Sequence, residues 1–131
     1  RLAGDPLADG GVSAMYGRDT SGPTALLQSV ARLPFRRASN GTLLNMKFLP
    51  AFFQTDTGIR KFTQLLRAVC ALGISHIQFN VLNEADLKDA QAHPENYRGL
   101  TVRVAGYTAY FTELARDLQD EIIARTTYEA I

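Results

Sequence analysis

The chain has 131 residues, 46% hydrophobic and 21% charged, and 14 Lys and Arg against 13 Asp and Glu leave a net charge of +1. That balance excludes an electrostatic footprint for nucleic acid or an anionic membrane, and the pair Arg36-Arg37 is too short to make a basic patch. The longest apolar stretch, 68–72, is far below the roughly 20 residues of a membrane span, and no leader pattern opens the chain, so the reading is a cytoplasmic globular protein of one domain or a piece of one.

Gly4, Pro6, Gly10, Gly11 and Gly17 stand among aspartates in the first twenty residues, a density of turn formers that predicts irregular loop. Ser21 is placed to cap a helix with Pro23 in its first turn, in which Leu26, Leu27, Val30 and Leu33 recur at helical spacing as far as Pro34. In SNGTLLNMKFLP, Asn40-Gly41 marks a turn, and Leu44, Met46 and Phe48 alternate with Asn45 and Lys47 as in a strand that Pro50 closes. Over 57–72, Ile59, Phe62, Leu65, Leu66, Val69 and Leu72 share one side of a helix that Gly73 is placed to end. Cys70 is on the apolar side of the same helix, which predicts a buried and inert thiol. As the single cysteine it excludes an internal disulfide and any multi-cysteine metal site, and His76 and His93 lack a spaced metal-ligand partner.

HIQFNVL places Ile77, Phe79 and Val81 on one strand face and Gln78 and Asn80 on the other. Buried amides must be satisfied, so these two either tie down neighbouring backbone or look into a polar cavity. Asn83 is a cap for a helix through Leu87 and Ala90, with Asp86 completing a near capping box and Pro94 stopping the helix. LTVRV reads as a third strand, interrupted by Gly106; a glycine there is ordinarily a bulge or a turn of positive φ. The tail DLQDEIIARTTY reads as a closing helix with Leu118, Ile122 and Ile123 inward. This order implies an α/β layer arrangement, yet three strands separated by helices cannot cover both sheet faces. Together with the absence of a methionine at position 1, that predicts part of something longer.

The segment RVAGY at 103–107 resembles the RVxGY motif of glycyl radical enzymes. HIQFNV, the DAQxxPExY pattern at 89–97 and QDEIIART at 119–126 follow the order and spacing of that family's C-terminal region, and PLADGGVSAMYGRDTSGPTALL with SNGTLLNMKF extends the likeness toward the start. Ala105 and QFNV are similar to the glycerol and diol dehydratase and choline lyase branch rather than to pyruvate formate-lyase itself. The resemblance implies an α/β fold, the C-terminal portion of a ten-stranded α/β barrel with a glycine radical loop. Residues 1–8 would end the barrel domain and 9–131 would form the glycine radical domain.

The resemblance also implies the chemistry: a radical lyase that eliminates water or another leaving group from a small diol-like substrate, with aryl decarboxylase and arylsuccinate synthase activities still open. Gly106 would store the radical, because the planar centre tolerates no Cβ. Arg103, Val104, Ala105 and Tyr107 would frame it, Val104 alternatively serving as core and Tyr107 as packing beside the loop. Arg125 would bond to the loop or form a surface salt bridge, and Gln78 and Asn80 are further candidates for loop support. The implied cofactor is the glycyl radical itself, made by an activating enzyme that uses S-adenosylmethionine and its own iron-sulfur cluster, with no metal bound by this chain. The implied partners are that activating enzyme, a small-molecule substrate and a second copy of the full enzyme, with neither nucleic acid nor membrane. The family's thiyl cysteine belongs to a loop that Cys70 does not match. Two forms remain, part of a radical lyase or a stand-alone spare-part subunit that repairs an oxygen-cleaved enzyme, beside a structural module without radical chemistry.

Overall fold

The computed structural model describes residues 11–15 and 17–131. The proposed boundary between residues 8 and 9, and the glycine-rich opening before residue 11, lie outside the described residues. The order is α1 (Pro23–Val30), β1 (Leu44–Phe48), α2 (Asp56–Ala71), β2 (Ile77–Val81), α3 (Glu84–Ala92), β3 (Thr101–Arg103), β4 (Thr108–Tyr110), α4 (Arg116–Ala124) and β5 (Thr127–Tyr128). The fold is mixed α/β.

β1 is the centre of a parallel sheet of order β2-β1-β5. All five of its residues are buried, as expected of a parallel strand covered on both faces. Leu44, Met46 and Phe48 point into a core with Leu26, Leu27 and Val30 of α1 and Leu65 and Val69 of α2. The Phe48 ring lies 5.5 to 6.1 Å from those of Phe52, Phe53, Phe62, Phe79 and Tyr128, within the spacing at which tilted and edge-to-face pairs attract. A second core joins Leu87 and Ala90 of α3, Val102, Val104, Phe111 and Ile122 of α4. Between the two cores lies the polar face of the sheet, where the register sets Asn45 beside Gln78 and Lys47 beside Asn80.

Several expectations need correction. The cap of α1 is Gly22, with no side-chain hydrogen bond, not Ser21, and the helix ends at Val30 rather than Pro34. The residue before a proline is disfavoured in the α region, and Leu33, beyond the helix, is exposed. α2 matches the expected span to one residue at each end, and Gly73 ends it with φ +69°. Ile74 N–H donates to Val69 C=O and Gly73 N–H to Cys70 C=O, the paired bonds of a Schellman stop.

The buried stripe of α2 is Gly58, Leu65 and Val69. Cys70, about 100° round the helix from Val69, is exposed, as are Ile59 (51%), Leu66 and Leu72. The predicted buried thiol is therefore wrong: a helix in contact on one side buries a stripe narrower than its apolar side. β3 does not join the parallel sheet but pairs antiparallel with β4, because only the four residues 104–107 separate them and a local hairpin needs no crossover. The expected closing helix stops at Ala124, and Thr127 and Tyr128 leave it to pair with Lys47 and Phe48.

Candidate functional site

Gly106 is at the tip of the β3–β4 hairpin. Val104 N–H donates to Tyr107 C=O at 3.0 Å, closing a turn through Ala105 and Gly106. Gly106 has φ +81° and no non-glycine residue among the described ones has positive φ, which fits the third position of a type II turn and excludes the primed turns. Primed turns match strand twist, whereas type II splays the strands, so this hairpin must be held from outside.

β2 and α4 do the holding. Asn80 takes both backbone groups of Arg103: its Nδ2 donates to Arg103 C=O at 2.8 Å, and its Oδ1 accepts from Arg103 N–H at 2.8 Å. Gln78 does the same one step on: Nε2 donates to Val104 C=O at 3.1 Å and Oε1 accepts from Gly106 N–H at 3.1 Å. Arg125, directly after α4, donates from both terminal nitrogens to the same Val104 C=O at 3.2 Å each, and one of them also meets Glu121 Oε1 at 2.9 Å. Gln78 and Asn80 are each 6% exposed and Arg125 7%. Of the alternatives open in the sequence, the amides take the backbone, and the Arg125 guanidinium does both things at once, buried against the loop and ion-paired with the part-buried Glu121.

The remaining motif residues divide. The Val104 side chain belongs to the second core. Arg103 sends Nη1 to Thr108 Oγ1 across the hairpin at 3.0 Å. Ala105 and Gly106 are exposed, and Tyr107, half exposed at 50%, is not buried beside the loop. An added Cβ at Gly106 would meet nothing within 4 Å. Its conformation, not crowding, is what requires glycine.

Sequence reasoning missed Lys47. It is 1% exposed, and its Nζ donates to Ile122 C=O at 3.2 Å and Ile123 C=O at 2.8 Å, carbonyls at the negative end of α4. Burial pulls its ammonium down to about 8; Glu84 opposes that, while Arg125 and Lys88 add to it. The signal was present: β1 and β2 each alternate apolar with polar, so a paired register puts Asn45, Lys47, Gln78 and Asn80 on one face. Asp19 was also missed. Its carboxylate accepts from Thr126 Oγ1 and the Tyr128 hydroxyl, and burial first, then that bond, push Tyr128 above the usual phenol range. Asp89 and Tyr97, the ends of the DAQxxPExY pattern, are joined by a 2.7 Å bond from the Tyr97 hydroxyl.

Chemically, the site is a backbone Cα–H between a held amide and a carbonyl, at the exposed tip of a clamped turn. Among the described residues no three His, Cys, Asp or Glu side chains come together as a metal ligand set. No helix among them is long and apolar enough to cross a membrane.

The family model described as "Glycine radical" matches residues 8–112, and the chain belongs to that family. It is 52% identical, with a TM-score of 0.90 over 98% of its length, to a structure reported for 1,2-propanediol dehydration in Roseburia inulinivorans. It is 46% identical, with a TM-score of 0.90 over 100% of its length, to the glycerol-bound B12-independent glycerol dehydratase of Clostridium butyricum. It is also 46% identical over 100% of its length to indoleacetate decarboxylase of Tractidigestivibacter scatoligenes. The chain spans 16% of each of the two solved chains and 15% of the decarboxylase.

Proposed function

We propose that this chain is the radical-bearing part of a glycyl radical lyase and that Gly106 stores the radical. A radical at a glycine α-carbon is stabilised by donation from its amide nitrogen and withdrawal by its carbonyl, which requires a flat centre without a side chain. The observation that carries the reading is a glycine of φ +81° at an exposed hairpin tip whose flanking backbone is gripped by three buried side chains. Arg103, Val104, Ala105 and Tyr107 frame it, and Gln78, Asn80 and Arg125 hold it.

In this reading residues 1–8 end a barrel domain and 9–131 form the glycine radical domain, a division supported by the start of the family match at residue 8. The parallel strands β2-β1-β5 then belong to the glycine radical domain. An S-adenosylmethionine-dependent iron-sulfur activating enzyme removes a hydrogen atom from Gly106 Cα, and the radical passes to a cysteine outside this chain. Cys70 is on the wrong side for that role: α2 packs on the Leu44 face of the sheet and the hairpin on the Asn45 face. The reaction is elimination of water or another leaving group from a small diol-like substrate by a homodimeric enzyme in the cytoplasm. Dehydration is preferred because both solved chains cited above concern it.

Anaerobic activation of the complete enzyme, followed by electron spin resonance, tests the reading. A doublet should form in the wild type and be absent from Gly106→Ala, which at an open position of positive φ should cost only about 1 kcal/mol of stability. Exposure of the activated protein to air should cut the backbone at Gly106 and separate the segment that begins near Tyr107. A doublet in Gly106→Ala, or the same cleavage without activation, removes Gly106 as the radical site.

A further inference from the structure

The two peptide groups that meet at Gly106 Cα are held unequally. On the upstream side, Gly106 N–H donates to Gln78 Oε1 at 3.1 Å, and Gln78 is anchored in turn through Nε2 to Val104 C=O at 3.1 Å. On the downstream side, no hydrogen bond among the described residues reaches Gly106 C=O or Tyr107 N–H. The bond that ordinarily closes a β-turn, from the fourth N–H to the first C=O, is missing here. Its acceptor, Val104 C=O, is instead occupied by Gln78 and Arg125. The turn is thus fixed through one peptide plane of the glycine and left unbonded at the other.

That asymmetry matters for a centre that must flatten. At φ +81° the two peptide planes are far from coplanar, and conjugation across Cα requires one of them to turn. Resting on the reading of Gly106 as the radical residue, we propose that Gln78 is a positioning residue of the radical centre. It holds the Ala105–Gly106 peptide still and polarises Gly106 N–H, so that the nitrogen donates more strongly to Cα, while the unbonded Gly106–Tyr107 peptide rotates into the radical plane. An acceptor drawing on an N–H raises the electron density of that nitrogen, which is the donor half of the stabilisation. Asn80 grips the hairpin with equal geometry but at Arg103, so it fixes the strand without touching the centre. Gln78 and Asn80 therefore make a matched pair in which one side chain alone meets the reacting residue.

The test is made in the complete enzyme, expressed with ¹⁵N-glycine and activated anaerobically. Electron spin resonance then reads the α-proton splitting, the ¹⁵N coupling and the radical lifetime. Gln78→Leu, which keeps the bulk and removes the acceptor, should reduce the ¹⁵N coupling and shorten the lifetime several-fold. Gln78→Glu, which keeps an acceptor for Gly106 N–H, should hold the wild-type coupling. Asn80→Leu should lower the yield of radical without changing its spectrum. If Gln78→Leu gives the wild-type spectrum and lifetime, the proposal is overturned. Loss of the radical in Gln78→Leu with its retention in the other two variants supports it, and equal loss in all three overturns it, because the hairpin then needs only to be folded. The underlying reading fails separately, by absence of a doublet from the wild type or its persistence in Gly106→Ala.

Discussion

On one face of β1, Leu44, Met46 and Phe48 are sealed under α1 and α2; on the other, Asn45 and Lys47, together with Gln78 and Asn80 of β2, face the hairpin and the end of α4. The first face is held by apolar burial, which is non-directional and proportional to area. The second is held by bonds from the amides of Gln78 and Asn80 and the ammonium of Lys47 to backbone, whose geometry is narrow. Apolar packing alone would let a neighbour slide by a fraction of an ångström at little cost, whereas paired bonds to both N–H and C=O of one residue fix its position. The face that grips the backbone around Gly106 is the one built from directional bonds, and its own apolar cluster, around Val102 and Phe111, keeps the hairpin and α4 together as a unit.

If that division is right, damage to the two faces should differ in size and reach. The largest effect should follow Phe48→Ala, which removes the ring in contact with five others. A loss of about 3–5 kcal/mol is expected, read as a lowered urea midpoint with faster amide exchange throughout β1 and β2. A loss under 1 kcal/mol would mean that the aromatic cluster does not carry this half.

Asn80→Ala should cost less, about 1–3 kcal/mol for a buried N–H and C=O left without partners. Its effect should stay local, with faster exchange of the Arg103 amide and unchanged protection in β1. Equal loss of protection in β1 would break the comparison by making the faces one cooperative unit.

Lys47 sharpens the comparison through pH. Its folded value, about 8, is below the ordinary 10.5, so between those values the unfolded chain binds more protons than the folded one. Stability therefore rises with pH across that window: the desolvation cost of the charged form is fully present below about pH 8 and is relieved toward 10.5. Denaturant midpoints at pH 8 and 9 should show a gain of about 1 kcal/mol that Lys47→Met lacks; equal slopes in the two proteins would count against it. The smallest effect belongs to Cys70→Ser, within about 0.5 kcal/mol for an exposed position. A thiol reagent should modify Cys70 in the folded chain, and protection until unfolding would contradict its exposure.

Strand and helix periods were legible wherever the pattern was local. β1, β2, α2 and α3 stand within a residue of their sequence limits, and the polar faces of IQFNV and LNMKF could be read letter by letter. The loop around Gly106 was legible through RVAGY as a motif, not through its geometry. Less legible were the ends of elements facing open sides, such as α1 and the outer surface of α2, where Cys70 was placed on the wrong side. Periodicity reports which residues share a face and says nothing of how wide a stripe the neighbour covers.

Alternation and turn chemistry by themselves determined β1, β2, α2 and α3, the turn at Gly106 and the amides of Gln78 and Asn80 on one strand face. Only the tertiary structure decided what those amides meet. The partners of Gln78 and Asn80 are 23 to 28 residues away, and the carbonyls held by Lys47 are 75 and 76 residues away. A period of 2 or 3.6 residues carries no information at that range. It was also the closing of the chain that brought Thr127 and Tyr128 to the free edge of β1. A strand edge accepts whichever backbone reaches it first at low loop entropy, and that is settled by the path of the whole chain rather than by the residues of the strand.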